Sequence, residues 1–225
     1  TCQYADMSHR LYEILKPQLD KSTRLTKFYN TIELPLVSTL AQIEINGVKF
    51  DLEGLKAMQA KYEEKIKGIT DAITLEAGND LDGVFDEDEK DHIFNVNSNR
   101  QLGRVIFNKL LPNSPYAKKS KTGDYVLDSD TLDQLAADGL KFAKLILEYR
   151  AVSKLYSTYI LGLQQHINPY TKRIHTTYQN ALTVTGRLSS VSPNIQNIPM
   201  RTNEGKQIRK FFVASEGHVL FKADY

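Results

Sequence analysis

Between Asp51 and Gly78 the chain carries an apolar stripe in which Leu55, Met58, Tyr62, Ile66, Ile69 and Ile73 recur at steps of three or four residues. That period lays them along one face of an α-helix. Asp51 is a residue type that accepts from the first free amides of a helix, and Gly78 is a type that closes one. At 1.5 Å per residue the segment predicts a rod of about 40 Å. A rod with one apolar face needs another element to cover it, so the stripe implies helix-on-helix packing rather than a ligand site.

A covering helix is at hand from about Gly139 to Gly162, where Leu145, Ile146, Tyr149, Val152, Leu155 and Tyr159, with Leu163 just beyond, repeat at the same spacing. Residues 2–19 also read as helix, ending near Pro17, and Phe28 to about Ile45 does so through Ile32, Val37, Leu40 and Ile43. Asn46-Gly47 signals a turn, and Val48-Lys49-Phe50 a short extended piece. Asn97-Ser98-Asn99 caps a helix carrying Leu102, Val105, Ile106 and Leu110, and Ser129 or Asp130 caps a short one through Leu135. Strand alternation is confined to Arg173–Thr185, through Ile174, Thr176 and Tyr178. The expected fold class is α+β and mostly helical.

The 225 residues, 41% hydrophobic and 25% charged, suffice for one sizeable core or two small ones. No run approaches the roughly 18 apolar residues of a membrane span. Cys2 is the single cysteine, so no internal disulfide forms, which is compatible with a reducing compartment. No Cys/His cluster has zinc spacing. The net charge of +2 hides an asymmetry: residues 141–225 hold 12 Lys/Arg against 4 Asp/Glu, leaving 17 against 23 before them. A basic C-terminal portion fits a polyanion such as nucleic acid, and equally a solvated basic face. The acidic run Asp80, Asp82, Asp86, Glu87, Asp88, Glu89 and Asp91 lacks calcium-loop spacing and reads as a solvated loop that phosphate would repel.

The most unusual stretch is Thr183 to Pro199, TVTGRLSSVSPNIQNIP. Pro193 and Pro199 fix φ, Gly186 permits close approach or positive φ, and Arg187, Asn194, Gln196 and Asn197 supply donors and acceptors. Two readings follow from chemistry alone: a stiff loop presenting polar groups to a polymer, or a loop satisfying its own backbone.

TGRLSS followed by PNIQNIP resembles the stretch that links thumb to palm in family A DNA polymerases, the bacterial polymerase I type. The likeness continues through Arg201, EGKQIRKFF (Glu204–Phe212) and VLFKADY (Val219–Tyr225), and upstream through LEYRAVSKLYSTY (Leu147–Tyr159) and NPYTKRIHTTY (Asn168–Tyr178). It implies a polymerase thumb with the first part of a palm β-sheet. Residues 1–27 would end a 3′–5′ exonuclease-like domain, 28–51 form a first palm segment and linker, 52–165 the helical thumb, and 166–225 the start of the palm. Tyr4 stands where that exonuclease domain has a metal-ligand aspartate, which implies lost proofreading and a plain packing role for Tyr4. The acidic run looks like an insertion relative to the family.

The resemblance also implies roles. Arg187 would reach the minor groove at the primer terminus, where purine N3 and pyrimidine O2 occupy similar places in all four pairs, so one donor fork tests pair geometry without reading sequence. Thr183, Asn194, Gln196 and Asn197 would continue those contacts along template and primer. Arg150, Lys154 and Thr158 would face the duplex from the long helix, with Tyr156 standing where many relatives have lysine. Ser98, Asn99, Lys118, Lys119 and Lys121 would meet phosphates, and Arg201 the incoming dNTP. Asp224 would be the catalytic carboxylate and first metal ligand, with the Tyr225 carbonyl beside it, serving two Mg²⁺ ions.

The sequence reaches Asp224-Tyr225 without a second catalytic aspartate, so nucleotidyl transfer is expected only together with a C-terminal half, as in a split or intein-interrupted polymerase, in a bacterial or phage-infected cytoplasm. The expected partners are primer–template DNA, dNTP and that C-terminal half, with no membrane. A non-catalytic DNA-binding module derived from a polymerase is the alternative.

Overall fold

A computed structural model describes residues 2–81, 84–85, 94–200 and 203–223. The fold is mostly helical α+β with two small antiparallel sheets, and the chain divides into two compact units.

One unit comprises Asp51–Gln165 and Ile198–Phe212. Its spine is α4 (Leu52–Ala77), 26 residues long. The Asp51 carboxylate accepts from the Gly54 amide at 3.0 Å and starts the helix. Gly78 ends it at φ +78°, its N–H reaching the Leu75 and Thr74 carbonyls. The stripe read from the sequence is the packing face: Leu55, Met58, Tyr62, Ile69, Ile73 and Ala77 are buried, Ile66 partly so. It lies along α7 (Lys141–Leu155), which buries Phe142, Ala143, Ile146, Tyr149, Val152 and Leu155. Through π-helical turns at Tyr156–Leu161 that helix continues into α8 (Gly162–Gln165).

α5 (Asn99–Arg104) begins at Ser98, whose hydroxyl accepts from the Gln101 amide at 3.3 Å, and runs on through π turns at Val105–Leu110. Leu102, Val105, Ile106 and Phe107 fill the core there, and each such side chain contributes about 1.5–3 kcal/mol by leaving water. α6 (Ser129–Ala137) packs on α7. Its cap is Asp128, not Ser129 or Asp130. Asp128 is extended and its carboxylate accepts from the Thr131 amide at 2.8 Å, whereas the two residues after it already lie in the first turn. The unit ends with α9 (Asn203–Arg209), whose Gly205 rests on Pro199.

The other unit comprises Thr1–Phe50, His166–Asn197 and Val213–Tyr225. α1 (Cys2–Asp20) runs past Pro17, where the sequence suggests an end. Proline removes one amide from the ladder and crowds the Glu13 carbonyl, yet the helix runs on for three more residues, and the Lys16–Asp20 pair at 2.6 Å spans that final turn. Tyr4, expected to pack, is 82% exposed. α2 (Thr23–Phe28) passes through π turns at Tyr29–Glu33 into α3 (Leu34–Asn46), which Gly47 ends at φ +57°. β1 (Val48–Lys49) pairs with β2 (Arg173–Ile174), Val48 opposite Ile174. β3 (Thr177–Gln179) pairs with β4 (Ser189–Val191), Tyr178 opposite Ser190. The strand expected across 173–185 is therefore two short strands that stop at Gln179. Beyond it Asn180 turns away to bond the Glu33 carboxylate at 3.1 Å, and residues 180–188 form a loop. No helix among the described residues is long and apolar enough to cross a membrane.

Candidate nucleic-acid interface

In the sheet-bearing unit, the β3–β4 hairpin carries the TGRLSS loop. At its base the buried Thr176 hydroxyl donates to the Pro193 carbonyl at 2.7 Å, with the Val191 carbonyl at 3.1 Å. The Glu44 carboxylate from α3 accepts the Tyr178 amide at 2.6 Å. Burial, then the Glu44 charge, pushes the Tyr178 hydroxyl pKa above its ordinary value. At the loop's head the Thr183 hydroxyl donates to the Arg187 carbonyl at 2.6 Å and fixes the backbone there. The Arg187 side chain itself is exposed.

The residues Pro193 to Asn197 fold back on this hairpin. Gln196 uses both ends of its amide: Oε1 accepts the Ser190 N–H at 3.0 Å and Nε2 donates to the Leu188 carbonyl at 3.0 Å. Asn194 Oδ1 accepts from the Gln196 amide at 3.1 Å and lies 3.3 Å from the Ser190 hydroxyl, which donates to it. Gln196 and Asn194 thus brace the loop, and Asn197 is exposed. The structure brings Thr183, Arg187, Asn194 and Gln196 together as one hydrogen-bonded loop, whose outward cation is Arg187. Sequence reasoning missed Thr176 and Glu44, which carry no motif and act only through tertiary hydrogen bonds.

In the helical unit, the Lys118, Lys119 and Lys121 side chains are exposed on a loop, with the Lys119 ammonium 5.0 Å from the Tyr125 ring centroid. Lys154 and Thr158 are exposed too, but the π turns start at Tyr156 between them, so the regular four-residue row is interrupted. Arg150 is half-buried. It donates to the Asn99 Oδ1 at 2.7 Å and to the Leu127 carbonyl at 3.1 Å. Burial lowers its pKa, and the charge of Asp128 opposes that shift. Asn99 and Arg150, read from sequence as separate contacts, are one pair. Tyr156 donates to the Glu63 carboxylate at 2.6 Å, Gln59 donates to the same oxygen at 2.8 Å, and these bonds, Tyr156's first, hold the Glu63 pKa below its ordinary value.

Arg201, Asp224 and Tyr225 lie outside the described residues, as does most of the acidic run. Among the described residues no group of three or more His, Cys, Asp or Glu side chains is placed to hold a metal.

The sequence model for DNA polymerase family A matches residues 52–225. DNA polymerase I of Rhizobium leguminosarum is 38% identical over 221 residues, covering 98% of this chain and 20% of that protein. DNA polymerase I of Geobacillus stearothermophilus is 40% identical over 218 residues, covering 96% and 23%. The chain thus spans about a fifth of the length of these curated relatives. Among solved structures, the POL domain of Pol1 from M. smegmatis, in complex with a DNA primer–template and dNTP, superposes with a TM-score of 0.74 at 33% identity, over 97% of this chain and 35% of that one.

Proposed function

The chain belongs to DNA polymerase family A, and from that premise we propose that it supplies the primer–template-holding part of a template-directed DNA polymerase, a nucleotidyltransferase acting on dNTPs in the cytoplasm. What supports this most is the TGRLSS loop. Its backbone is fixed by Thr183 and Gln196, while its arginine points a rigid, always-charged donor fork outward. Holding the backbone spends the loop's own amides and leaves Arg187 for a partner. Minor-groove acceptors at a primer end suit that donor, because they are present in every base pair.

The rest of the reading follows in the same terms. The exposed lysines Lys118, Lys119, Lys121 and Lys154 would neutralise phosphates, with Ser98, Asn99 and Thr158 as neutral donors. Thr183, Asn194, Gln196 and Asn197 set and extend the Arg187 contact. Arg201 would approach the triphosphate. Asp224 and the Tyr225 carbonyl offer the hard oxygens that Mg²⁺ prefers. Mg²⁺ held by these oxygens would supply positive charge to the primer 3′-hydroxyl and the triphosphate. A C-terminal segment with a second carboxylate completes that site, in the same polypeptide or in a separate one.

Primer extension by this chain together with the C-terminal segment tests the proposal. The expected result is extension abolished by Asp224→Ala with duplex binding retained. Extension that survives Asp224→Ala refutes the role given to that residue. Duplex binding with no extension by the assembled pair identifies a non-catalytic DNA-binding module instead.

A further inference from the structure

The long helix α7 does more at its centre than cover α4. Two successive side chains, Tyr149 and Arg150, reach the turn before α5 and the first residue of that helix. The Tyr149 hydroxyl donates to the Asn97 Oδ1 at 2.8 Å, and an Arg150 Nη donates to the Asn99 Oδ1 at 2.7 Å. The second Nη of Arg150 reaches the Leu127 carbonyl at 3.1 Å, so one guanidinium joins the Asn99 turn to the residue just before the α6 cap. The turn is tied internally as well: Asn95 N–H donates to the Gln101 Oε1 at 2.7 Å, and Asn97 N–H to the Asn95 Oδ1 at 2.9 Å.

The chemistry of the Asn99–Arg150 pair fixes the orientation of the amide. A guanidinium can only donate, so the oxygen of Asn99 must face it and the NH₂ must face the other way. The Asn99 side chain is exposed. A phosphate oxygen can only accept, and the NH₂ end is the one it can use. We propose that Arg150 is a positioning residue: by holding the carbonyl of Asn99 and the Leu127 carbonyl it presents the Asn99 NH₂ to a backbone phosphate of the duplex, rather than meeting phosphate itself. The inference deepens the DNA-binding reading and rests on it.

Charge and geometry separate this role from a direct contact. A cation that neutralises a phosphate contributes about 0.9 to the slope of log affinity against log salt, and one that only positions a neutral donor contributes nothing. The test measures binding of the chain to a primer–template duplex across a salt series for Arg150→Lys, Arg150→Ala, Asn99→Asp, Asn99→Ala and the double alanine variant, with the melting temperature of each. Expected are a several-fold weaker affinity for both Arg150 variants with the salt slope unchanged, and no further loss when Asn99→Ala is added to Arg150→Ala. Asn99→Asp should keep or raise the melting temperature, since a carboxylate still accepts from Arg150, yet bind duplex at least tenfold more weakly. A slope that falls by about 0.9 in Arg150→Ala, or losses that simply add in the double variant, overturns the positioning role. If the parent chain binds no duplex, the DNA reading itself fails. That outcome is told apart because non-additive melting temperatures for Asn99 and Arg150 need no DNA.

Discussion

Replacing Gly205 with alanine sets two effects of known size against each other. Gly205 lies buried within α9, and alanine is favoured over glycine inside a helix by about 1 kcal/mol. On propensity alone the substitution stabilises. The added Cβ, however, would clash with the Pro199 carbonyl oxygen and stand 2.6 Å from its Cβ and 2.8 Å from its carbonyl carbon. These are backbone and ring atoms of a residue with fixed φ, not the tip of a side chain that can swing away. Either α9 or the 198–200 segment must move by close to an ångström, and forced repacking of that kind costs about 1–3 kcal/mol, toward the upper end with three contacts at once. The net expectation is destabilisation by about 1–2 kcal/mol, a melting temperature lower by about 2–8 °C for a chain of this length. Thermal unfolding followed by circular dichroism measures it. A melting temperature equal to the parent's or above it would show that the Gly205–Pro199 approach is not the constraint described.

Ile146→Ala should be the more severe change, because Ile146 is fully buried on the face of α7 that packs between α4 and α6. Loss of its methyl groups and the cavity left behind should cost about 2–5 kcal/mol in denaturant unfolding, and a cost under about 1 kcal/mol would contradict the packing given for α7. Asp128, whose pKa the Thr131 hydrogen bonds depress, contributes stability that is complete above the unfolded aspartate pKa of about 4 and is lost as pH falls through its lower folded value. Asp128→Asn should therefore flatten the acid limb of the stability profile below about pH 4, and an unchanged limb would refute the cap. Tyr156→Phe should raise the Glu63 pKa toward its ordinary value in an NMR titration, since the Tyr156 hydroxyl is the first cause of its depression; an unshifted titration would show that the bond does not form in solution.

The parts of the fold legible in the sequence are those that local rules decide. The α4 stripe and its two ends, Asp51 and Gly78, follow from period and capping chemistry, and the structure places both as read. The end of α1 and the α6 cap differ from the sequence reading by one to three residues, because α1 keeps its helical course past Pro17 and because three neighbouring residues, Asp128, Ser129 and Asp130, are all competent caps. The strand expected from Arg173 is shorter in the structure because alternation says nothing about partner length: β1 offers only Val48–Lys49 to β2, and β4 only Ser189–Val191 to β3. At the candidate interface the motif residues are visible in sequence, but their division of labour is not. That Gln196 and Asn194 hold the loop while Arg187 faces outward, and that Arg150 engages Asn99 rather than solvent, depends on distances no linear pattern encodes.

The claim on which the account stands is that Arg187 donates to a minor-groove acceptor at the primer end. Duplex affinity should be measured for the parent chain and Arg187→Ala, each with an ordinary primer-terminal purine and with one whose N3 is replaced by C–H. A charge-assisted hydrogen bond contributes about 1.5–3 kcal/mol, a factor of about 10 or more in affinity. The account predicts that loss for the parent chain on the altered primer, the same loss for Arg187→Ala on the ordinary one, and no further loss when the two are combined. Equal sensitivity of the parent and Arg187→Ala to the missing N3 would contradict it.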